Sequence, residues 1–244
     1  MKTTKIEWTE AIWNPSIGCS KVSAGCENCY AEIMARRLQA MKAVGYEDGF
    51  EFKALPERLH QPASVKKPTK FFVNSMSDLF HEKMPFKFLD KIFETIANTP
   101  QHHYQILTKR TNILKKYFLK RVVPVNVWLG VTVENASAKN RIDILKNIDA
   151  TIRFVSIEPL IDDVGELDLD GIHWVIVGGE SGVCARPMEP QWAINVQEQC
   201  TEQKVAFFFK QWGTWGEDGI KRSKKVNGSI LEGREWKEEP KYSL

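Results

Sequence analysis

The chain has 244 residues, a length that suits one large domain or two small ones, and its formal net charge is only +3. Hydrophobic residues make up 43% and charged residues 27%, enough apolar material for a sizeable core. No run of 18 apolar residues is present, so no membrane span is expected. The start, Met1-Lys2-Thr3-Thr4-Lys5, has no apolar run behind it, so no signal peptide is expected and the chain reads as cytoplasmic. Five cysteines, three of them clustered, point to metal chemistry rather than a disulfide framework in that reducing compartment.

In chain order, short runs that are β-branched or aromatic alternate with longer helical patterns. A first strand is expected before Cys19, followed by a helix over about Cys29–Val44. Residues 45–69 hold Pro56, Pro62 and Pro68 and read as a long insertion. Then come strands at Lys70–Asn74, Tyr104–Leu107, Val127–Val133, Ile152–Ile157, Trp174–Val177 and Val205–Phe209. Each is short and nearly continuous in apolar character, as a strand buried on both faces must be. Helices are expected between them, at about Phe86–Asn98, Asn112–Lys120, Ala136–Asn147 and Gln191–Gln203, with Asn135 as a cap for the third. Strand alternating with helix implies a parallel sheet with right-handed crossovers. The expected fold is therefore α/β, a partial (β/α) barrel of six or seven strands over residues 1–212, with its loop of cysteines at 18–30. Residues 213–244 are polar and read as a C-terminal appendage or partly mobile tail.

Parallel α/β folds build their sites at the carboxyl ends of the strands. Here six strands in a row end in polar residues, among them Ser75, Ser77 and Asp78, Lys109 and Arg110, Glu134, Glu158, Gly178-Gly179-Glu180, and Lys210-Gln211-Trp212. Cys19, Cys26 and Cys29 stand in a C-x6-C-x2-C pattern. Three thiolates can hold an iron–sulfur cluster with one iron left open, whereas structural zinc needs four protein ligands. The zinc alternative would recruit His60, His81 or Cys184 as the fourth, giving a non-catalytic zinc- or cluster-bearing nucleic-acid-binding protein.

The cysteine loop followed by Tyr30-Ala31 resembles that of the radical S-adenosylmethionine (SAM) superfamily. Trp13-Asn14-Pro15, Gly18-Cys19, Asn74–Asp78, Leu107–Arg110, Val177–Gly182 and Phe209–Gly213 resemble, more narrowly, a phage-associated radical-SAM-like family with no assigned substrate. The resemblance covers about residues 5–215. It implies a 4Fe–4S cluster on Cys19, Cys26 and Cys29, which reductively cleaves SAM to a 5′-deoxyadenosyl radical that takes hydrogen from a substrate. It also implies an electron donor such as flavodoxin or ferredoxin.

Two features depart from the superfamily. The usual spacing is CxxxCxxC, so three extra residues separate Cys19 from Cys26. Asn28 stands where an aromatic residue often touches adenine, leaving Tyr30 as the candidate. Asp78, on the second-strand loop with Ser75 and Ser77, is the candidate for the SAM amine. Lys109 or Arg110 is the candidate for its carboxylate, or a surface charge at a helix start. Glu134 is the candidate for its ribose, or a carboxylate favoured at a helix N-terminus. Gly178-Gly179-Glu180 matches the superfamily's Gly-Gly-Glu but lies on a much later strand, so the amine-binding role is not carried over. Gly178 and Gly179 are expected to let backbone approach the ligand or to make a plain turn, and Glu180 stays with them in the cofactor-binding set. Glu158 and Cys184 are the candidates for substrate chemistry, Cys184 as hydrogen donor. Trp212 and Trp215 could stack on a planar substrate, or simply cover a barrel end. A nucleic acid or nucleotide is the expected substrate, supported loosely by the basic run Lys221–Lys225.

Overall fold

The computed structural model describes residue 4 and residues 6–241. The N-terminal reading on Met1–Lys5 therefore lies largely outside the described residues. In chain order the elements are β1 (Ala11–Trp13), β2 (Ser16–Ile17), α1 (Tyr30–Ala40), β3 (Lys53–Ala54), β4 (Lys70–Val73), α2 (Phe86–Ala97) and β5 (His103–Thr108). There follow α3 (Thr111–Phe118), β6 (Val127–Thr132), α4 (Asn140–Lys146), β7 (Ile152–Ile157), β8 (Trp174–Gly178), α5 (Pro190–Glu202) and β9 (Ala206–Gln211). The chain closes with α6 (Lys224–Asn227) and the hairpin β10 (Ile230–Leu231) and β11 (Arg234–Glu235).

Seven strands form one sheet in the order β1-β4-β5-β6-β7-β8-β9. The pairs β1–β4, β4–β5, β7–β8 and β8–β9 are parallel. The order never reverses, so this is a singly wound α/β sheet; a doubly wound sheet has a switch point where the order turns back. The strands are buried on both faces, as in a parallel sheet: all six residues of β6 and all five of β8 are buried.

The chain divides into two compact units. One comprises the residues up to Val22, Cys29–Leu129 and Ile148–Thr151. In it α2 buries Phe88, Leu89, Ile92, Phe93 and Ile96, the one-sided stripe that the helical spacing predicts. Burying each such side chain contributes about 1.5–3 kcal/mol. The insertion at 45–69 is built into this unit, since β3 pairs antiparallel with β2 and Tyr46 and Leu55 join Ile17, Ala31, Ala35 and Met76 in one apolar cluster. Its backbone also holds the approach to Cys19, whose N–H donates to Phe50 O at 3.0 Å. Gly18 runs so close to Glu51 that a Cβ there would lie 1.9 Å from its carbonyl oxygen, and its φ is +76°.

The other unit comprises Ser23–Asn28, Gly130–Asn147 and the residues from Ile152 onward. Its core includes Trp174, whose ring meets those of Phe154 and Phe208, with Ala193, Val196 and Cys200 buried on α5. The polar C-terminal stretch packs onto the sheet rather than trailing as a loose tail. Phe209 N donates to Trp236 O at 2.9 Å and Glu238 N to Phe207 O at 3.1 Å, which lays residues 236–238 along β9 and covers that edge of the sheet. Its composition hides two buried residues, Leu231 and Trp236.

The expected cap at Asn135 is not made. Asn135 Oδ1 accepts from Ser137 Oγ at 2.7 Å instead, and the single helix expected over 136–147 is a 3-10 turn at Ala136–Ala138 followed by α4.

Candidate functional site

In the first unit, the loops after β4 and β5 meet the segment that carries Cys19. Asp78 receives four donors: Phe80 N at 2.9 Å and Thr108 Oγ1 at 2.6 Å on Oδ1, then Lys109 N at 3.1 Å and Arg110 Nη1 at 3.2 Å on Oδ2. Arg110 is buried, and its five N–H donors find five acceptors. Nη1 serves Asp78 and the Cys19 sulfur at 3.3 Å, Nε serves Glu82 at 2.9 Å, and Nη2 serves the carbonyl and hydroxyl of Ser20, both at 2.8 Å. Burial works against the guanidinium charge, but Asp78 and Cys19 outweigh it and hold the Arg110 pKa above its usual value. Arg110 thus places a buried cation directly against the Cys19 sulfur.

The hydrogen bond from Ser20, burial and Arg110 together set the Glu82 carboxyl, with a net fall to about 2. His81 is pushed down, by burial first and then by Arg110, and so is held neutral. Its ring stacks on Phe52, Nδ1 accepts from Lys83 N at 3.1 Å, and Nε2 faces Ser20 Oγ at 3.2 Å.

The remaining candidates of this unit are tied into the same end of the sheet. Tyr30 donates its hydroxyl to Ser75 O, with its ring 57% exposed. Ser75 N donates to Asn14 Oδ1 at 2.9 Å, and Ser77 Oγ donates to Gly18 O at 2.7 Å. Lys109 differs: among the described residues its ammonium has neither an ion pair nor a hydrogen bond.

Both oxygens of Asp78, the candidate for the SAM amine, accept from this chain's own donors. Of Lys109 and Arg110, the candidates for the SAM carboxylate, Arg110 has its donors engaged within the chain. Lys109 is the cation of the pair that keeps its donors free.

In the second unit, Cys26 closes the 3-10 turn Ala24–Cys26, in which no residue is buried. Gly25 N donates to Glu134 Oε1 at 3.4 Å, and Arg141 Nη1 donates to Glu134 Oε2 at 2.8 Å. Glu134, expected at a ribose, is fully buried. Glu180 receives Asn28 Nδ2 at 3.0 Å, Arg186 N at 2.8 Å and Arg186 Nε at 2.9 Å on Oε2, and Arg186 Nη2 on Oε1. Burial pushes the Glu180 carboxyl up, but the Arg186 bonds outweigh burial and hold it below its usual value.

At Gly179, expected to let backbone approach a ligand or to make a plain turn, a Cβ would lie 1.9 Å from Trp212 O, so the missing side chain makes room for this chain's own backbone. Gly178 lies against Glu158, whose carboxylate pairs with Lys210 at 2.7 Å. Cys184 is exposed, and its carbonyl accepts from Asn28 at 2.8 Å. Trp212 is buried with its Nε1 on Ile230 O, and Trp215 Nε1 donates to Ala185 O, so neither ring edge waits for a partner.

The donor chemistry of the motif fits an iron–sulfur cluster. Cys19, Cys26 and Cys29 form no disulfide and are partly exposed, and Cys29 precedes the first turn of α1, where the helix dipole favours negative charge. Among the described residues no three His, Cys, Asp or Glu side chains converge on a point that would hold a single metal ion.

The ties supplied by Asn28, Glu82, Arg141 and Arg186 were not foreseen. The only sequence signal was opposite charge on successive loops, which is too common to single them out.

A model of one protein family, described as "Protein of unknown function (DUF5131)", matches residues 3–240. The chain belongs to the DUF5131 family. No curated protein matches this DUF5131 sequence. Among solved structures, spore photoproduct lyase complexed with dinucleoside spore photoproduct is similar at 11% identity and a TM-score of 0.51, over 82% of this chain and 63% of that one. A double mutant of the lyase, with bound AdoMet and the dinucleoside spore photoproduct, gives the same values. A cysteine-to-serine mutant of the lyase gives 12% identity and a TM-score of 0.50, over 91% of this chain and 71% of that one. This DUF5131 chain thus spans less than two thirds of the first of these neighbours. The likeness shows the fold, a partial β/α barrel of the kind found in that radical SAM enzyme. No helix among the described residues is long and apolar enough to cross a membrane.

Proposed function

We propose that this protein is a radical SAM enzyme that acts on a nucleic acid or nucleotide. Cys19, Cys26 and Cys29 would hold a 4Fe–4S cluster. Bound there, cluster and SAM would supply one-electron cleavage of the sulfonium and hydrogen abstraction from a substrate. The observation that carries the reading is the buried Arg110 guanidinium donating to the first cysteine of a three-thiol motif, on a partial β/α barrel. The shared fold with an enzyme solved with AdoMet and a dinucleoside bound supports both the cofactor and the substrate class.

The chain's own residues divide the work. Arg110 donates to the Cys19 sulfur and ties its segment to Asp78 and Glu82. Lys109 is the free cation for an anionic ligand group, the SAM carboxylate or a substrate phosphate. Tyr30 offers an exposed ring for a planar group. Glu158 and Lys210 form a half-buried ion pair able to hold or pass a proton at the carboxylate. Cys184 is the exposed thiol assigned to hydrogen return.

Anaerobic reconstitution with iron and sulfide tests the reading. The expected product is a brown protein with about four irons per chain, which forms 5′-deoxyadenosine from SAM under dithionite. Cys19→Ala and Cys26→Ala should each lose both properties. A colourless protein that keeps one zinc through dialysis and forms no 5′-deoxyadenosine would overturn it. Addition of a thymine-lesion dinucleoside, or of single-stranded DNA, should raise 5′-deoxyadenosine output if the substrate class is right.

A further inference from the structure

We infer that Glu180 and Arg186 are positioning residues that fix the segment carrying Cys26, an inference that rests on the reading of Cys26 as a cluster ligand. Ser23–Asn28 contains half of the six-residue spacer between the first two cysteines, and no residue of its 3-10 turn is buried. Apolar packing therefore does not hold the turn; polar ties do. Arg186 Nη2 donates to Ala24 O at 3.0 Å, and Nη1 pairs with Glu27 at 3.1 Å. Asn28 Nδ2 bridges Glu180 at 3.0 Å and Cys184 O at 2.8 Å. Ala24 and Glu27–Asn28 bracket Cys26 on both sides. The Glu180 carboxylate is the hub, because it fixes Asn28 directly and orients the guanidinium that grips Ala24 and Glu27.

A spacer of six residues leaves a loop more conformations than the usual three would, and a loop must lose them before its thiol can meet a cluster. The tie sits where that loss is needed. It gives the Gly-Gly-Glu carboxylate a task different from binding an external ammonium: its four donors all come from this chain.

Hydrogen exchange of the metal-free protein reads the tie without any cluster. The Cys26 and Glu27 amides, bonded to Ser23 O and Ala24 O, should exchange about tenfold faster in Arg186→Ala and Glu180→Ala, while the amides of β8 keep their protection. Alkylation of Cys26, followed by peptide mass spectrometry with Cys19 as the internal reference, should speed up in parallel. Asn28→Ala cuts one tie and leaves the buried carboxylate paired, so it decides the matter should Glu180→Ala fail to fold. It should show the same loop-confined change, only smaller. Arg186→Lys should restore part of the protection, since an ammonium can reach one acceptor but not three. Unchanged exchange at Cys26 and Glu27 in the folded variants, or loss spread evenly over β8, would overturn the inference. The failure of the wild type to take up iron would instead overturn the cluster reading and leave this result standing.

Discussion

Arg110 and Arg186 do comparable work in different surroundings. Each guanidinium links a strand-end carboxylate to chain beside a motif cysteine, Arg110 through Asp78 and Arg186 through Glu180. Arg110 has 6% of its side chain exposed and donates to the sulfur itself, whereas Arg186 has 27% exposed and grips backbone. Water can take over part of what Arg186 does, but it cannot reach the Asp78–Arg110 pair. The first arrangement holds a sulfur directly; the second holds the backbone beside one.

The largest expected effect comes from removing the buried cation. Arg110→Met leaves Asp78 buried without its partner and should cost about 3–5 kcal/mol, read from the denaturant midpoint of the metal-free protein. Arg186→Met loses charge-assisted hydrogen bonds that water can partly replace, and should cost about 1.5–3 kcal/mol. Equal losses would break the distinction between the two arginines.

A glycine comparison sharpens it from the backbone side. Gly18, in the first unit, and Gly179, in the second, each meet a carbonyl oxygen at 1.9 Å from where a Cβ would stand. Gly18 also carries a φ of +76°, which L side chains rarely adopt. Alanine at either position should cost about 3 kcal/mol through forced backbone displacement, with Gly18→Ala the worse by about 1 kcal/mol for its φ. A thermal melt of each variant checks the order, and equal melting temperatures would remove the argument from φ.

The fold was legible because its signal is local. Runs such as Ile152–Ile157 and Trp174–Val177 are apolar throughout, and the structure moves their ends by no more than one residue. The helix expected over 29–44 stops at Ala40, where Lys42 turns to a φ of +53° and Gly45 to +92°. Composition misled at the C-terminus, because Trp236 and Leu231 bury themselves amid charged neighbours. The three cysteines were legible from spacing. Their supports were not, because the partners lie far apart in the chain: Asn28 reaches Glu180 across 152 positions and Arg110 reaches Cys19 across 91. No period or motif encodes such a pairing; it exists only once parallel strands bring their carboxyl ends together.

The smallest effect tests the outer partners of the two arginines. Glu82 pairs with Arg110 at 51% exposure, and Glu27 pairs with Arg186 at 69%. Both are screened by water, so Glu82→Gln and Glu27→Gln should each cost about 0.2–1 kcal/mol at neutral pH. They should nonetheless differ in acid. The hydrogen bond from Ser20, together with Arg110, holds the Glu82 carboxyl down to about 2, whereas its ordinary value is 4.5. A carboxylate whose pKa is lower in the folded state stabilises that state above its unfolded value, and the contribution fades as pH falls through the folded one. The Glu82 contribution should therefore be whole above pH 4.5 and vanish by about pH 2. Wild type and Glu82→Gln should converge in stability across that window. Urea midpoints measured from pH 5 to pH 2 decide it: a gap that stays constant would show that the Ser20–Glu82–Arg110 chain carries no ionic share, leaving Asp78 as the one carboxylate that matters to Arg110.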